Sequence, residues 1–243
     1  MQIQRVDAGK GLAWFGEGWR MFTRDPGMWI VLTVVGAIVA LVLGLIPLVG
    51  PMLLAMLIPG LTGGYLYAAS ESMSGRRIDV SQLFVALQQP EKRNPMLVLG
   101  AILLGFHILL MLIAVLLVGG SMGVMGMAGH SDNHALAAGA GVGLLLALLI
   151  ISLIGLLVAM AFIYAIPLVM FTPSLPGEAI RSSLRACITN FLPLLVFSVI
   201  YLVLATLAAI PFMLGYLILM PVSFGAIFAS YRDIYGNPSP IAP

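Results

Sequence analysis

A short segment near the middle of the chain holds the densest group of side chains that can bind a metal ion. Thioether sulfur suits cuprous copper, whereas imidazole with carboxylate suits zinc, cupric copper or nickel. One interpretation is a single ion held by a curled loop. The other is an ordinary outer loop, in which methionines fill apolar helix ends and histidines supply polarity. The candidate ligands are Met122, Met125, Met127, His130, Asp132 and His134.

His107 lies in the middle of an apolar stretch, where an ionisable side chain indicates a proton relay or a ligand contact. The alternative is a neutral histidine that is hydrogen-bonded to a Ser, Thr or Tyr of a neighbouring helix. Because the sequence places no acidic residue at the same depth, we favour the neutral histidine.

The segment from Gly119 to Gly123 fits the G-x-S-x-G pattern of hydrolases, with Ser121 at its centre. That pattern needs a strand, a turn and a helix to expose the serine. Here it follows an apolar helix, so we interpret the match as coincidence. The sequence offers no paired acid and base within its apolar stretches, and we predict a protein that is not an enzyme and holds no cofactor.

Composition indicates the environment of these residues. Apolar residues make up 61% of the 243 positions and charged residues 8%, with a mean hydropathy of +1.13. An average soluble domain has about 25% charged residues. A soluble globule, a disordered chain and a disulfide scaffold are therefore excluded, and a net charge of +2 without a basic stripe argues against nucleic-acid binding. We predict an all-α integral membrane protein.

Four stretches contain no charged residue, and together they are long enough for six membrane passes of about 20 residues each. Proline and glycine divide the first and last stretches near residues 46–51 and 210–215. The apolar runs are continuous rather than alternating, which favours helices over a β-barrel. The predicted transmembrane helices are 27–45, 52–73, 96–118, 138–170, 192–210 and 214–235, and the third is able to continue towards Gly129.

Six passes place all 11 basic residues on one side of the membrane. The positive-inside rule makes that side cytoplasmic, so both termini are predicted to be inside. Three short amphipathic helices are expected there: one from Lys10 to Arg24, one that Asp79 caps, and one that includes Ile180 and Leu184. The first is expected to place Leu12, Phe15, Trp19 and Phe22 on its apolar face. They either bind anionic headgroups in the membrane surface or only connect the helix pairs. The basic residues of this surface are Arg20, Arg24, Arg76, Arg77, Lys92, Arg93, Arg181 and Arg185.

The order of one surface helix and two membrane helices occurs three times, near residues 8–75, 78–172 and 177–236. Asp25-Pro26, Asn94-Pro95 and Asn190 mark the turns that follow the surface helices. We therefore predict one membrane domain over residues 1–243, with a threefold parallel repeat and a disordered cytoplasmic tail at 237–243.

Three motifs carry a resemblance to a family of bacterial inner-membrane proteins whose function is not established. They are Gly18-Trp19-Arg20-Met21-Phe22 followed by Pro26 and Trp29, Ser183-Leu184-Arg185 leading to Asn190, and Tyr231-Arg232-Asp233-Ile234-Tyr235. The layout is also similar to the membrane domain of some glycerophosphodiester phosphodiesterases, whose catalytic domain has no counterpart here. The resemblance implies a six-helix protein of the bacterial inner membrane and implies no activity.

Three functions fit these features. The first is a non-enzymatic membrane protein that associates with membrane lipids, including anionic phospholipid headgroups, or with protein partners. The second is a transporter or channel for a small or lipid-like solute, which helices interrupted by Pro59, Pro167 and Pro221 favour. The third is metal binding by the outer loop. The spacings Gly60-x-x-x-Gly64 and Gly139-x-x-x-Gly143 permit close packing within the bundle or in a homo-oligomer.

Overall fold

The computed structural model describes residues 3–128 and 134–236, and this part of the chain is helical without β-strands. A 3-10 turn, Val80–Phe84, precedes α4, and a π-helical segment, Val115–Gly119, joins α5 to α6. The α-helices are α1 (Lys10–Phe22), α2 (Pro26–Gly44), α3 (Val49–Met73), α4 (Val85–Gln88), α5 (Pro90–Ala114), α6 (Gly120–Ala128), α7 (His134–Phe162), α8 (Ala165–Phe171), α9 (Pro176–Thr189), α10 (Phe191–Ala209) and α11 (Tyr216–Tyr235).

Six of these helices or helix runs are long and apolar enough to cross a membrane, which confirms the predicted all-α polytopic bundle. Two of them exceed the required length. At about 1.5 Å per residue, the 37-residue run is about 55 Å long, whereas the hydrocarbon core is about 30 Å thick. The spans are Pro26–Gly44, Val49–Met73, Pro90–Gly126, Ala138–Phe171, Phe191–Ala209 and Tyr216–Tyr235.

Two predicted helix boundaries are wrong. The third membrane helix begins at Pro90 rather than after Asn94-Pro95, because Pro90 occupies the first turn and the helix continues past Pro95. The fourth is not continuous: it ends at Phe162 and restarts as α8 after the turn at Tyr164. The expected extension of the third helix is confirmed, since α6 ends at Ala128.

Carboxylate caps start two of the elements, as predicted. Asp25 accepts a hydrogen bond from the Met28 N–H (3.1 Å) and starts α2, with Pro26 in the first turn. Asp79 accepts from the Ser81 N–H at 2.8 Å, and this bond lowers the pKa of the Asp79 carboxyl. The element that Asp79 caps is shorter than predicted, consisting of the 3-10 turn and the four residues of α4.

The chain forms two compact units. Unit 1 comprises Met1–Gly100 with Ala161–Pro243, and unit 2 comprises Ala101–Met160. The short elements between the spans of unit 1 lie at one end of that unit. We call it the basic end; it consists of α1, residues 74–93, α9 and the last turn of α11. Among the described residues of unit 2, only Leu103, Ala140 and Ala147 are buried, and the others are half-buried or exposed.

Each short element of the basic end packs on a spanning helix. Helix α1 packs on α11, the 3-10 turn packs on α3, and α9 packs on α8. Small or hydroxyl residues allow the approach: Gly18 faces the backbone of Val222, and Gly64 faces the backbone of Leu83. In the third contact the Ser183 hydroxyl accepts from the Tyr164 N–H at 3.1 Å. The same kind of packing therefore recurs three times within unit 1.

The predicted apolar face of α1 differs from the observed one. Leu12 and Trp19, which the pattern placed with Phe15 and Phe22, are 63% and 51% exposed. The buried face includes Gly11 and Gly18, because these two residues allow the backbones of α10 and α11 to approach. Its members are Gly11, Trp14, Phe15, Gly18, Met21 and Phe22.

Candidate functional site

The site is built on the contact between α1 and α11. A Cβ added to Gly225 would lie 2.8 Å from Gly18 Cα, so both positions require glycine for this approach. Burial of one helix against the other brings Glu17 beside Arg232. The Arg232 Nη2 donates to Glu17 Oε2 at 2.9 Å, and the guanidinium lies 5.8 Å from the ring centre of Phe228.

A second guanidinium is held by the end of α3. Arg24 Nη1 donates to the carbonyl oxygens of Ser72 (2.6 Å) and Met73 (3.3 Å). These carbonyls belong to the last turn of α3, where the helix dipole is negative and the carbonyl groups have no partner within the helix. Arg24 therefore fixes the start of α2 to the end of α3.

A pocket of about 230 Å³ lies between these groups. Three guanidinium groups and one carboxylate face it, which gives the lining a formal charge of +2. Arg20 is exposed, and none of the described residues forms a hydrogen bond or an ion pair with its side chain. We call this the arginine pocket; it is lined by Glu17, Arg20, Met21, Arg24, Met73 and Arg232.

Asp233 anchors the neighbouring turn of α1. The indole N–H of Trp14 donates to Asp233 Oδ2 at 2.9 Å, and Lys10 Nζ lies 3.0 Å from the same oxygen. Trp14 is fully buried, so the carboxylate satisfies a donor that has no access to water. The two acidic side chains, Glu17 and Asp233, thus join α1 to the end of α11.

The other predicted basic residues lie apart from the pocket lining. Arg76 pairs with Glu71 at 2.5 Å, and Lys92 Nζ donates to the Val169 carbonyl at 3.3 Å. Four further arginines have exposed side chains that form no ion pair with any described residue. They are Arg77, Arg93, Arg181 and Arg185.

Asn190 does not cap α10 with its side chain, which corrects the prediction. Its Oδ1 accepts from the Val6 N–H at 2.9 Å, and its Nδ2 donates to the Gln4 and Ala186 carbonyls. The buried amide thereby fastens the N-terminal segment to α9. Nearby on α9, Cys187 is 2% exposed, and burial raises the pKa of its thiol to about 12.

The unit 2 residues with predicted chemistry lie on helices and are mostly exposed. His107 Nδ1 is 2.8 Å from the Leu103 carbonyl oxygen of its own helix. The predicted bond to a neighbouring helix stays a prediction. Ser121 donates to the Leu117 carbonyl (2.8 Å) and lies on α6, without the strand-turn-helix context of a hydrolase.

The metal-ligand prediction falls largely outside the part of the chain that the structure describes. Met122 and Met125 are 62% and 46% exposed. His130 and Asp132 lie outside the described residues, and nothing is described for the side chains of Met127 and His134. Elsewhere, the described residues contain no group of three metal-binding side chains. Metal binding by this loop stays a prediction.

An apolar cleft of about 510 Å³ lies between α2, α3 and α11. Two of its polar groups are already engaged: Tyr65 Oη donates to the Leu32 carbonyl at 2.7 Å, and Thr33 Oγ1 donates to the Trp29 carbonyl at 2.9 Å. The Tyr65 ring stacks on Phe224 with a centroid distance of 4.4 Å. The cleft therefore suits an apolar molecule better than a polar solute.

Glu17 and Arg232 belong to the site although the sequence did not predict them as site residues. Glu17 lies in a predicted surface helix and Arg232 at the end of a predicted membrane helix, and neither pattern indicates a site. Their ion pair joins residues that are 215 positions apart. The motifs behind the family resemblance carried a signal, since Arg20 lies in the first of them and Arg232 in the last.

This fold defines a multi-pass, all-α membrane protein. A relative named "probable inner membrane protein", from Burkholderia thailandensis, is 25% identical over 262 aligned positions that cover 100% of this chain and 97% of the relative. No family model matches the chain. No solved structure matches it either.

Proposed function

We propose that this chain is a non-enzymatic protein of the bacterial inner membrane that associates with anionic phospholipids through the basic end of unit 1. The name of the Burkholderia relative supports the inner-membrane location. The one-sided distribution of basic residues supports a cytoplasmic position for the basic end and for both termini.

One observation carries the proposal. Helices α1 and α9 each bury one face in the protein, and the face that remains exposed contains both apolar and basic side chains. Trp19 is 51% exposed beside the exposed Arg20, and Ile188 is 68% exposed one turn from Arg185. An exposed apolar side chain beside a cation is suited to the headgroup layer, where the ring or aliphatic group enters the acyl boundary and the cation meets lipid phosphate.

The test is the lipid composition around the full-length protein in nanodiscs of equal phosphatidylglycerol and phosphatidylcholine. We expect native mass spectrometry to detect enrichment of phosphatidylglycerol on the native protein. Changing Arg20, Arg24, Arg181 and Arg185 to Gln should abolish this enrichment, because each cation near the surface contributes about 1 kcal/mol of attraction. Equal retention of both lipids by the native protein and the variant would contradict the proposal.

The apolar cleft favours a second candidate function, the transport of a lipid-like solute. In proteoliposomes, the native protein would accelerate the transbilayer movement of a fluorescent phospholipid, and Ala40→Phe would slow it by filling the cleft, since Ala40 lines it. Val203→Phe is the matched control because Val203 is 55% exposed on α10 and is not part of that lining. A rate equal to that of protein-free vesicles would exclude this function.

A further inference from the structure

We infer that the arginine pocket binds a phosphate group, and that the phosphate of an anionic lipid headgroup is its principal source. This inference rests on the proposed function and assigns it one site. The observation behind it is charge: three guanidinium groups and a single carboxylate line the same cavity. The dianionic phosphomonoester of phosphatidic acid would balance the formal charge of +2 that this lining carries.

Two of the three guanidinium groups are held in place before any ligand arrives. Arg24 is fixed by the Ser72 and Met73 carbonyls, and Arg232 is fixed by Glu17 and by the face of Phe228. The Nε of Arg232 is buried and has no hydrogen-bond partner in the described part of the chain. Guanidinium groups bind phosphate oxygens with paired N–H donors, and fixed groups lose little conformational freedom on binding.

Arg20 completes the site as the group that is free to move. Its side chain is exposed and lines the pocket near the end of α1, four residues before Arg24 in the turn that follows. No described residue competes for it. A phosphate in the pocket would therefore gain one guanidinium whose positive charge is otherwise unpaired.

Size and depth favour a phosphate at the membrane surface. The pocket volume of about 230 Å³ is below the range of roughly 300–1,000 Å³ for sites that enclose drug-sized ligands. Its residues lie next to the ends of three membrane spans, since Arg24 precedes Pro26–Gly44, Met73 ends the second span and Arg232 lies in the last turn of the sixth. Span ends coincide with the headgroup layer, where lipid phosphates are located.

Glu17 is the competing anion within the site. It occupies Arg232 and offsets one positive charge, so its neutralisation should improve phosphate binding rather than weaken it. If the Glu17–Arg232 pair had only a structural role, neutralising Glu17 would weaken phosphate binding or leave it unchanged. Glu17→Gln preserves the shape of the side chain and its ability to accept a hydrogen bond, so the variant tests the effect of the negative charge alone.

The experiment measures binding of dioctanoyl phosphatidic acid to the full-length protein in neutral detergent by native mass spectrometry, with dioctanoyl phosphatidylcholine as the reference lipid. We expect Arg20→Gln to weaken phosphatidic acid binding by about tenfold, which is the effect of losing one charge-assisted hydrogen bond. Glu17→Gln should strengthen it. Arg5→Gln is the matched control, because Arg5 is also an exposed cation near the N terminus but does not line the pocket.

The outcomes distinguish a failure of the arginine-pocket inference from a failure of the proposed association with anionic phospholipids. Equal weakening by Arg20→Gln and Arg5→Gln would overturn the pocket and leave diffuse attraction to anionic lipid intact. No preference of the native protein for phosphatidic acid over phosphatidylcholine would overturn both. Addition of millimolar inorganic phosphate distinguishes the sources: displacement of the lipid supports a free phosphate as ligand of the same arginines, whereas retention of the lipid supports the headgroup.

Discussion

Trp14 donates its indole N–H to the carboxylate of Asp233 across 2.9 Å, and this bond joins residues that are 219 positions apart. Trp14 is fully buried between α1 and the rest of unit 1, whereas the Asp233 side chain is 22% exposed and also faces Lys10. One end of the chain is thereby fastened to the other. The arginine pocket depends on this junction, since Glu17 and Arg232 lie one turn or less from the two residues.

Removing the acceptor should destabilise the protein. Asp233→Ala leaves the buried Trp14 N–H without a partner, at a cost of about 1–3 kcal/mol. Asp233→Asn retains an acceptor oxygen for Trp14 and loses the ion pair with Lys10, which is worth about 0–1 kcal/mol. Thermal unfolding in detergent should therefore rank the native protein and Asp233→Asn above Asp233→Ala. Identical midpoints for the two variants would contradict the role of the Trp14 bond.

Gly18 should tolerate no side chain. A Cβ at this position overlaps the carbonyl oxygen of Val222, and only a shift of α1 away from α11 would relieve the overlap. We expect Gly18→Ala to lower stability by about 1–3 kcal/mol, as for other overpacked positions. Gly16→Ala is the control on the same helix, because a Cβ there meets nothing within 4 Å.

The two alanine variants should shift the unfolding midpoint in opposite directions. Gly16→Ala gains up to about 1 kcal/mol from the better helix propensity of alanine. An equal gain in stability for both variants would mean that only helix propensity acts at Gly18, and it would contradict the close contact of Gly18 with α11.

Cys187 should resist alkylation while the protein is folded. Its thiol is 2% exposed, and burial raises its pKa to about 12, so very little of it is in the reactive thiolate form at pH 8. Maleimide labelling, followed by mass spectrometry, should require denaturation. The control is Ile188→Cys with Cys187→Ala, because the neighbouring Ile188 is 68% exposed. Rapid labelling of the native thiol would contradict its burial.

Reporter fusions test the orientation that the basic residues predict. A reporter fused after Arg77 should be active as a cytoplasmic fusion, and one fused after position 129 should be active as a periplasmic fusion. Paired alkaline phosphatase and fluorescent-protein fusions at both sites make the two results independent of expression level. Reversal of either result would contradict the six-pass topology with internal termini.

Local features of the sequence predicted the spanning helices well. A span requires about 20 apolar residues, and lipid does not permit an unsatisfied backbone, so each charge-free stretch had few alternatives to a helix or a pair of helices. The caps at Asp25 and Asp79 were predictable for a similar reason, since each carboxylate bonds to a backbone N–H within three residues.

The predictions for Asn190 and for the apolar face of α1 are wrong because contacts with residues distant in sequence decide where these side chains lie. Asn190 has the composition of a helix cap but binds the backbone of Gln4 and Val6, which are far away in sequence. Leu12 and Trp19 complete an apolar stripe in the sequence, yet the glycines of α1 turn a different face towards α11.

The amino-acid sequence by itself determined that this is an all-α protein with six membrane-spanning helices and a basic end, because hydropathy and charge act on each segment through the solvent that surrounds it. The tertiary structure alone decided which cations face a common cavity. Arg20, Arg24 and Arg232 converge because Gly18 and Gly225 let two helices from opposite ends of the chain touch, and because the end of α3 supplies carbonyl groups for Arg24. Such contacts depend on distances between segments that are remote in sequence, and no local periodicity records them.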